Sequence, residues 1–305
     1  MPDPADSNRS DVSRSNPIDA IVANVAGDPE THRLASNAIP DAPVVEALVD
    51  RFRWLAFPGF FGPRIGEASQ LEAGIRSLSA EIIQFLGPQI ERAFAHESDQ
   101  GGASKSRADL EAVLHRFLVA VPRVRSILAM DARAGYAGDP AVGSLDEAIL
   151  SHPGLQAMII HRFAHELHGA GVPMLPRMLS ELAHARTGID IHPGASIGEA
   201  FFVDHGTGVV IGETTTIGNR CQIYQGVTLG ARRFERLEDG GLRRDYKRHP
   251  TLGDDVTVYA GATILGGDTV IGDGVVVSGG VFLTESVPAG SLVSGPSLEI
   301  RMRPR

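Results

Sequence analysis

Two hydrophobic periods divide the 305-residue chain. From residue 44 to about 187, apolar residues recur three and four positions apart, as in "VVEALVDRFRWLAF" (44–57). This spacing indicates helices with one buried face. Breaks at "QGGASKSR" (100–107) and "GAGVP" (169–173) separate the helical segments. The pattern predicts an α-helical domain over residues 44–187.

From Ile191 onward the period changes to six, and glycine often follows the repeating aliphatic residue. Hexapeptide repeats of this kind predict a parallel β-helix, in which each coil buries its apolar residues on its neighbours. The predicted domain covers residues 188–292 and makes the chain an α+β protein. Residues 231–249 interrupt the repeat, so we expect them to form a loop outside the coils. The repeating aliphatic positions are Ile191, Ile197, Val203, Ile211, Ile217, Ile223, Leu229, Leu252, Val258, Ile264, Ile271, Val277 and Leu283.

The two ends of the chain have a different composition. Residues 1–43 carry six prolines, seven acidic residues and no aromatic residue, which predicts a mobile leader, and residues 293–305 form a short tail. The first residues lack the apolar segment of a secretory signal. The single cysteine, Cys221, excludes an intrachain disulfide and fits a reducing compartment. We therefore expect a cytoplasmic protein.

Charge and hydropathy exclude two classes of partner. The net charge of −9 argues against a general nucleic-acid-binding protein, which normally presents a basic face. No apolar run approaches the ~18–20 residues that a membrane span needs. We expect neither nucleic acid nor membrane as a partner.

Four segments of the β-helix region carry a more specific signal. They are "GIDIHPGASIG" (188–198), "FFVDHGTGVVIGET" (201–214), "IYQGVTLGA" (223–231) and "KRHPTLGDDVTVYAGATILGG" (247–267). Together they resemble the serine O-acetyltransferases of the hexapeptide-repeat acyltransferase family, and "DPAV" (139–142) resembles part of that family's helical domain. The resemblance extends over roughly residues 110–292. It implies a left-handed β-helix and transfer of an acetyl group from acetyl-CoA to the hydroxyl of L-serine, which leads to cysteine.

The resemblance also implies a catalytic pair. His205 corresponds to the general base that takes the proton of the serine hydroxyl, and an imidazole with an ordinary pKa near ~6.5 suits that step. Asp190 corresponds to the carboxylate that orients this imidazole and stabilises its charged form. Fifteen positions separate the two residues, close to one coil of ~18 in this family, so we expect them to be in contact.

Substrate binding is implied in the same way. Asp139 and Asp204 correspond to residues that bind the serine ammonium, whereas Arg248 and His249 correspond to donors for its carboxylate. Glu213 corresponds to a further polar residue of that site. Asp139 also precedes a proline, so a turn alone would explain it.

Coenzyme A has its own matching positions. Gly230, Ala231 and Ala260 correspond to places where the backbone meets the pantetheine arm, and small side chains there leave room for a thin chain. Basic residues within 231–248 are expected to be solvated or to contact the nucleotide phosphates. Acetyl-CoA is the only cofactor expected, and no metal.

Other polar residues have simpler explanations. His192 is expected to be a structural hydrogen-bonding residue. Ser196 lies in "GASIG", which matches a nucleophile-elbow pattern but falls inside the repeat frame. The sequence "HELH" is one residue short of the zinc-protease motif, so its helical face is predicted to hold interface or core histidines. That face carries His161, His165 and His168.

Three alternative functions stay open at this point. The acceptor could be another small hydroxyl compound, such as homoserine or a sugar, although a sugar has no charges for these residues to bind. A metal-dependent hydratase would need three histidines around zinc, and the spacing of His192, His205 and His249 does not favour it. A non-catalytic β-helix would leave the pairing of Asp190 with His205 unexplained.

The resemblance finally implies an assembly and partners. Such β-helices form homotrimers with active sites between neighbouring prisms, and the helical domain commonly pairs two trimers. L-cysteine is expected to act as a feedback inhibitor that competes with L-serine. Many relatives bind O-acetylserine sulfhydrylase through a C-terminal isoleucine, but here Ile300 is followed by five residues, so we expect no tight complex.

Overall fold

The computed structural model describes residues 17–27 and 38–295. The chain divides into two units, residues 1–37 and 38–305. In the first unit the described residues form helix α1 (Pro17–Gly27), in which Ile18, Ile21, Val22 and Val25 are exposed. The leader predicted for residues 1–43 therefore contains a helix that the sequence did not predict. Its residues 1–16 and 28–37, and residues 296–305 of the tail, lie outside the described part.

Six helices follow in the second unit, and local capping explains several of their ends. Asp41 caps the first of them through the N–H of Val44, and Ser106 forms a reciprocal capping box with Asp109. Gly188 adopts a left-handed conformation that ends the last one. The helices are α2 (Ala42–Ala56), α3 (Ala68–Asp99), α4 (Arg107–Gly138), α5 (Leu145–Ser151), α6 (Pro153–Gly169) and α7 (Leu175–Thr187).

The helices pack around an aromatic centre. Phe52 of α2 stacks on Phe163 of α6 with ring centroids 4.7 Å apart, and Phe117 of α4 lies 5.7 and 5.9 Å from these two rings. Such contacts join three helices that are distant in sequence. Within the described ranges, no helix has both the length and the apolar character that crossing a membrane requires.

Short parallel strands then form three sheets, which are the faces of a left-handed β-helix of about five turns. One face joins β1, β4, β7, β10 and β13; the second joins β2, β5, β8 and β11; the third joins β3, β6, β9, β12 and β14. The predicted fold class is confirmed. The strands are β1 (Asp190–Ile191), β2 (Ser196–Ile197), β3 (Phe202–Asp204), β4 (Val210–Ile211), β5 (Thr216–Ile217), β6 (Gln222–Tyr224), β7 (Thr228–Gly230), β8 (Thr251–Leu252), β9 (Thr257–Val258), β10 (Thr263–Leu265), β11 (Val270–Ile271), β12 (Val276–Val277), β13 (Phe282–Leu283) and β14 (Leu292–Val293).

The six-residue repeat explains the register of these sheets. On the first face, Ile191, Ile211, Leu229, Ile264 and Leu283 pair in turn and form one stacked apolar column. The first four of these side chains are buried. Each coil thus covers the apolar residues of the next one, as the sequence predicts.

A buried ion pair fastens the helical domain to the first coil. Arg162 of α6 donates to both carboxylate oxygens of Asp131 of α4, at 2.6 and 2.9 Å. The same guanidinium donates to the carbonyls of Ile197 and Gly198, and Asp131 also accepts from the N–H of Phe201. These bonds satisfy both buried charges and hold the end of α4 beside β3.

Candidate active site

The turn after β3 presents His205 to solvent. His205 has a φ of 56°, and Gly206 and Gly208 also have positive φ values. A non-glycine residue in this region costs energy and is often found at a functional position. A Cβ on Gly206 would lie 2.4 Å from the side chain of Ile189, so glycine is needed there. The imidazole of His205 is consequently held outward, with 72% of its side chain exposed.

The nearest charged group to His205 is the carboxylate of Asp204, with 3.9 Å between Nε2 and Oδ1. The structure does not bring His205 and Asp190 together: within residues 38–295, no ion pair of 4 Å or less joins them. Asp190 opens β1 beside α7, where its carboxylate and the ligand atoms of Glu181 and His184 all lie within 4.8 Å of one another. In the single chain the two residues therefore have different neighbours, and His205 is exposed to solvent.

Asp139 lies at the C-terminal end of α4. Its Oδ1 accepts from the N–H of Ala141 at 2.8 Å, which is the turn contact that the following proline suggests. Its Oδ2 lies 3.3 Å from Nε2 of His152, a residue that the sequence did not single out. A Cβ on Gly138 would come 2.8 Å from the ring of Phe202, so glycine lets α4 end directly on β3.

Tyr224 is close enough to both predicted ammonium-binding carboxylates to be affected by their charges. It pairs in register with Asp204, and its hydroxyl accepts from Nε2 of Gln222 at 2.9 Å. Burial raises the pKa of Tyr224, and so do Tyr259 and the carboxylates of Asp204 and Asp139. The sequence analysis missed Tyr224, although its place after a repeating isoleucine already puts it on the outer surface.

Arg248 and His249 lie at the next corner of the prism, where the loop 231–249 returns to the coil. The guanidinium of Arg248 forms an ion pair with Glu213 and donates to the carbonyl of Arg244 at 3.1 Å. Burial alone would raise the pKa of Glu213, but the hydrogen bond from Arg248, together with the charges of Arg248 and the neighbouring histidines, outweighs it and lowers this pKa. Glu213 is therefore an anion that holds the guanidinium in place.

His249 is an uncharged group at neutral pH. The residue is only 7% exposed, and burial, followed by the charge of Arg248, lowers its pKa to about 4. A Cβ on Gly212 would lie 2.1 Å from Cδ2 of His249. Glycine at this position therefore makes room for the imidazole.

His192 is a structural residue of the first coil, as predicted. Its Nδ1 accepts from the N–H of Gly194 at 3.0 Å, and its ring meets that of His168 edge-on. Burial is the main cause that lowers the pKa of His192 to about 4. His165 contacts the carbonyl of Pro193, so the histidines of α6 do form an interface with the β-helix.

The interface between α6 and the first coil disfavours a bound cation. Ligand atoms of His168, His192 and Glu213 lie within 4.8 Å of one another. However, Glu213 already pairs with Arg248, whose charge repels a cation. The set also contains neither His205 nor His249, which the hydratase alternative would require.

The positions matched to coenzyme A lie on the later coils. Gly230 ends β7 and pairs with Leu265 of β10, and both Ala231 and Ala260 are half-buried. Tyr224 and Tyr259 stack with centroids 4.9 Å apart on the same face as Ala260. The surface there is therefore partly aromatic, with Tyr259 exposed.

The predicted site residues thus form two groups. Asp204 and His205 lie at the corner between β3 and β4, and Asp139 lies at the end of α4, which packs on β3. Arg248 and His249 lie beside Glu213 at the corner between β4 and β5. Over residues 38–295, no hydrogen bond or ion pair joins one group to the other. A single chain therefore presents two separate half-sites, one with carboxylate acceptors and the other with the donors of Arg248 and His249.

Comparison with known proteins decides the family. No protein-family model matches the chain. The protein named "Serine acetyltransferase, plasmid" from Synechococcus elongatus is 42% identical over 299 residues, which covers 94% of this chain and 93% of that protein. The chain belongs to the serine acetyltransferase family. The family predicted from the sequence is confirmed.

Solved serine acetyltransferases share the fold. Serine acetyltransferase 1 from Entamoeba histolytica, in complex with L-cysteine, has a TM-score of 0.71 and 35% identity, covering 84% of this chain and 87% of that one. A serine acetyltransferase in complex with CoA has a TM-score of 0.53 and 25% identity, covering 83% and 96%. The predicted left-handed β-helix is the fold of this family.

Proposed function

We propose that this chain transfers the acetyl group of acetyl-CoA to the hydroxyl of L-serine, giving O-acetyl-L-serine and CoA on the route to cysteine. The observation that carries the proposal is 42% sequence identity to a serine acetyltransferase over nearly the full length of both chains. The two half-sites add chemical support, because one offers the carboxylates of Asp139 and Asp204 to an ammonium and the other offers the donors of Arg248 and His249 to a carboxylate, as a zwitterionic amino acid requires.

His205 is the proposed general base. As the serine oxygen attacks the thioester carbon, Nε2 of His205 takes the hydroxyl proton, and the same proton is later available to the departing CoA sulfur. Asp204, 3.9 Å away, favours the imidazolium that forms. Asp190 is proposed to orient the ring after the exposed side chain of His205 rotates toward it on substrate binding.

The ends of the amino acid have separate partners in this proposal. Asp139 and Asp204 bind the ammonium, and the hydroxyl of Tyr224 lies beside both carboxylates. Arg248 and His249 bind the carboxylate, with Glu213 holding the guanidinium in position. A sugar acceptor would leave both charged groups without a counterpart, which costs binding energy.

The two groups lie on different corners, and we infer that each complete site forms between neighbouring copies in a homotrimer. Co-assembly of His205→Ala with Arg248→Gln tests this. In a randomly mixed trimer, a site is active only where a copy with an intact His205 adjoins a copy with an intact Arg248. Each condition is met half of the time, so roughly one site in four should recover activity. A site formed within one chain would recover nothing.

Coenzyme A is proposed to lie along Gly230, Ala231 and Ala260, with its phosphates near the basic residues of the loop 231–249.

L-cysteine is proposed to compete with L-serine, because it presents the same ammonium and carboxylate. We also propose a cytoplasmic location.

A thiol-release assay with acetyl-CoA tests the function directly. Acceptors are L-serine, homoserine and a panel of sugars, with L-serine expected to give by far the highest kcat/KM. Faster turnover of homoserine would assign the enzyme to the alternative acceptor. L-cysteine should raise the apparent KM for serine without changing kcat at saturating serine.

A further inference from the structure

Thr214 holds together the segment that carries the proposed carboxylate-binding residues. It lies at the corner between β4 and β5, directly after Glu213. Its hydroxyl oxygen accepts from the backbone N–H groups of Arg248 at 3.0 Å and His249 at 3.1 Å. Its carbonyl accepts from Nζ of Lys247. One residue of the coil therefore binds three consecutive residues at the end of the loop.

The same threonine also determines which nitrogen of His249 carries the proton. The backbone N–H of Thr214 donates to Nδ1 of His249 at 3.1 Å, so Nδ1 has no hydrogen of its own. The hydroxyl, which already accepts twice, uses its single proton toward the same Nδ1 at 2.9 Å. Because the ring is neutral at pH 7, its proton is on Nε2.

The tautomer of His249 determines whether its ring can donate a hydrogen bond to a substrate carboxylate. An Nε2–H donates to a carboxylate oxygen, whereas an unprotonated Nε2 would place a lone pair against it and repel it. No neighbouring residue supplies this control. Glu213 contacts Arg248 only through the guanidinium, and the hydroxyl of Thr215 is buried and has no hydrogen-bond partner among the described residues.

We infer that Thr214 is a positioning residue for substrate recognition: it holds His249 as the Nε2–H tautomer and fixes the backbone of Arg248 and His249, so that both residues present donors to the substrate carboxylate. This inference rests on the proposed function. It gives Thr214 no contact with the reacting atoms. Its effect is on the binding of a carboxylate-bearing acceptor, not on the acetyl-transfer step.

Three variants test the inference. Thr214→Val keeps the shape but removes the hydroxyl, Thr214→Ser restores the hydroxyl, and Thr251→Val is the matched control, since the Thr251 hydroxyl makes no hydrogen bond within the described residues. We expect Thr214→Val to raise the KM for L-serine about 5- to 30-fold, as loss of hydrogen bonds around a charged ligand does. The kcat and the KM for acetyl-CoA should stay within about twofold. Thr214→Ser and Thr251→Val should match the unchanged enzyme.

L-serine amide provides a second readout, because it lacks the carboxylate. Thr214→Val should leave its kcat/KM unchanged, while a merely structural role would lower kcat/KM for both acceptors. An unchanged serine KM in Thr214→Val, an equal loss with serine amide, or no recovery in Thr214→Ser would each overturn the inference.

Calorimetric titration of L-serine separates this outcome from failure of the proposed function. If the unchanged enzyme releases no thiol with serine, the proposed function fails. Binding to the same three variants then still decides the role of Thr214, with weaker binding in Thr214→Val alone as the expected result. Equal binding in all variants would refute it.

Discussion

The two half-sites differ in how completely one chain builds them. At the carboxylate side, Arg248 is only 15% exposed and paired with Glu213, and His249 is buried and hydrogen-bonded. At the side of the base, His205 is 72% exposed, and its nearest charge lies 3.9 Å away. The comparison indicates that the proposed carboxylate-binding groups are preorganised within the chain, whereas the proposed base is exposed to solvent in the single chain.

This difference also separates two kinds of energetic cost. Burying Arg248 and Glu213 removes hydration from both, and their mutual ion pair offsets that cost. Exposing His205 avoids desolvation, but its positive φ stores backbone strain instead. We therefore expect substitutions at the two sides to affect different kinetic constants.

The largest expected effect is that of His205→Ala. Removal of a general base typically lowers the rate by about two to four orders of magnitude, and the loss should be in kcat. The exposed side chain predicts no loss of stability. The measurement is steady-state thiol release together with thermal unfolding. His115→Ala, which changes an exposed histidine of α4, is the control and should be fully active.

Near-normal kcat in folded His205→Ala would remove this residue from the mechanism. It would also remove the contrast between the two sides, because the exposed turn would then have no catalytic use.

Arg248→Gln should act mainly on binding. Loss of a hydrogen-bonded charge costs roughly 1.5–3 kcal/mol, so the KM for serine should rise about 10- to 150-fold, with a smaller change in kcat. Glu213 also loses its partner, which adds to the effect. Arg243→Gln in the same loop is the control, since Arg243 pairs with Glu235 and Asp245 at the surface. A pure kcat defect in Arg248→Gln would contradict the assignment.

Two aspartates sharpen the comparison with smaller effects. Asp204→Asn removes a charge beside the proposed ammonium position and should raise the KM for serine about 3- to 30-fold. Asp190→Asn should instead lower kcat by a similar factor, because an amide cannot stabilise the imidazolium. Both variants keep the side-chain volume, so each controls for the other. Identical KM effects would show that the proposed division of roles is wrong.

The sequence predicted the coils well because their cause is local and repeated. Ile191, Ile211 and Leu229 pair in register on successive coils and cover one another. Because most strands of the coils bury such a residue, the burial appears in the sequence as a six-residue period. The repeat also lengthens to eight residues between Val203 and Ile211, and the turn that carries His205 lies within this step. Where buried positions recur at a fixed spacing, the hydrophobic pattern of the sequence predicts the secondary structure.

Contacts between elements that are distant in sequence produce no periodic pattern, so they could not be predicted in this way. The carboxylate of Asp190 lies near Glu181 and His184 because α7 packs beside β1, and no periodicity indicates that contact. Thr214 fills an ordinary position of the repeat, and only the returning loop makes its hydroxyl special. Helix α1 was missed for another reason, because the proline-rich and acidic composition around it masks a short helical segment.

The smallest expected effect concerns pH and the buried histidines. Burial holds the pKa of His161 well below 6.5, and burial also lowers the pKa values of His192 and His249 to about 4. Above pH 6.5 these groups are neutral in both the folded and the unfolded chain, so they add no pH dependence. As the pH falls below 6.5, the unfolded chain takes up protons that the folded chain does not. The free energy of unfolding must therefore fall with pH.

Urea unfolding at fixed protein concentration between pH 7.5 and 5 measures this slope. One fully buried histidine contributes up to ~1.4 kcal/mol per pH unit once its unfolded form is protonated. His161→Gln removes the titrating ring at a position where Nδ1 has no hydrogen-bond partner among the described residues, so the slope should become shallower. His115→Gln, at an exposed position of α4 with no ion pair among the described residues, should leave the slope unchanged. An unaltered slope in His161→Gln would mean that the folded protein accepts a proton there, and that the histidine interface between α6 and the first coil is more open to water than its packing indicates.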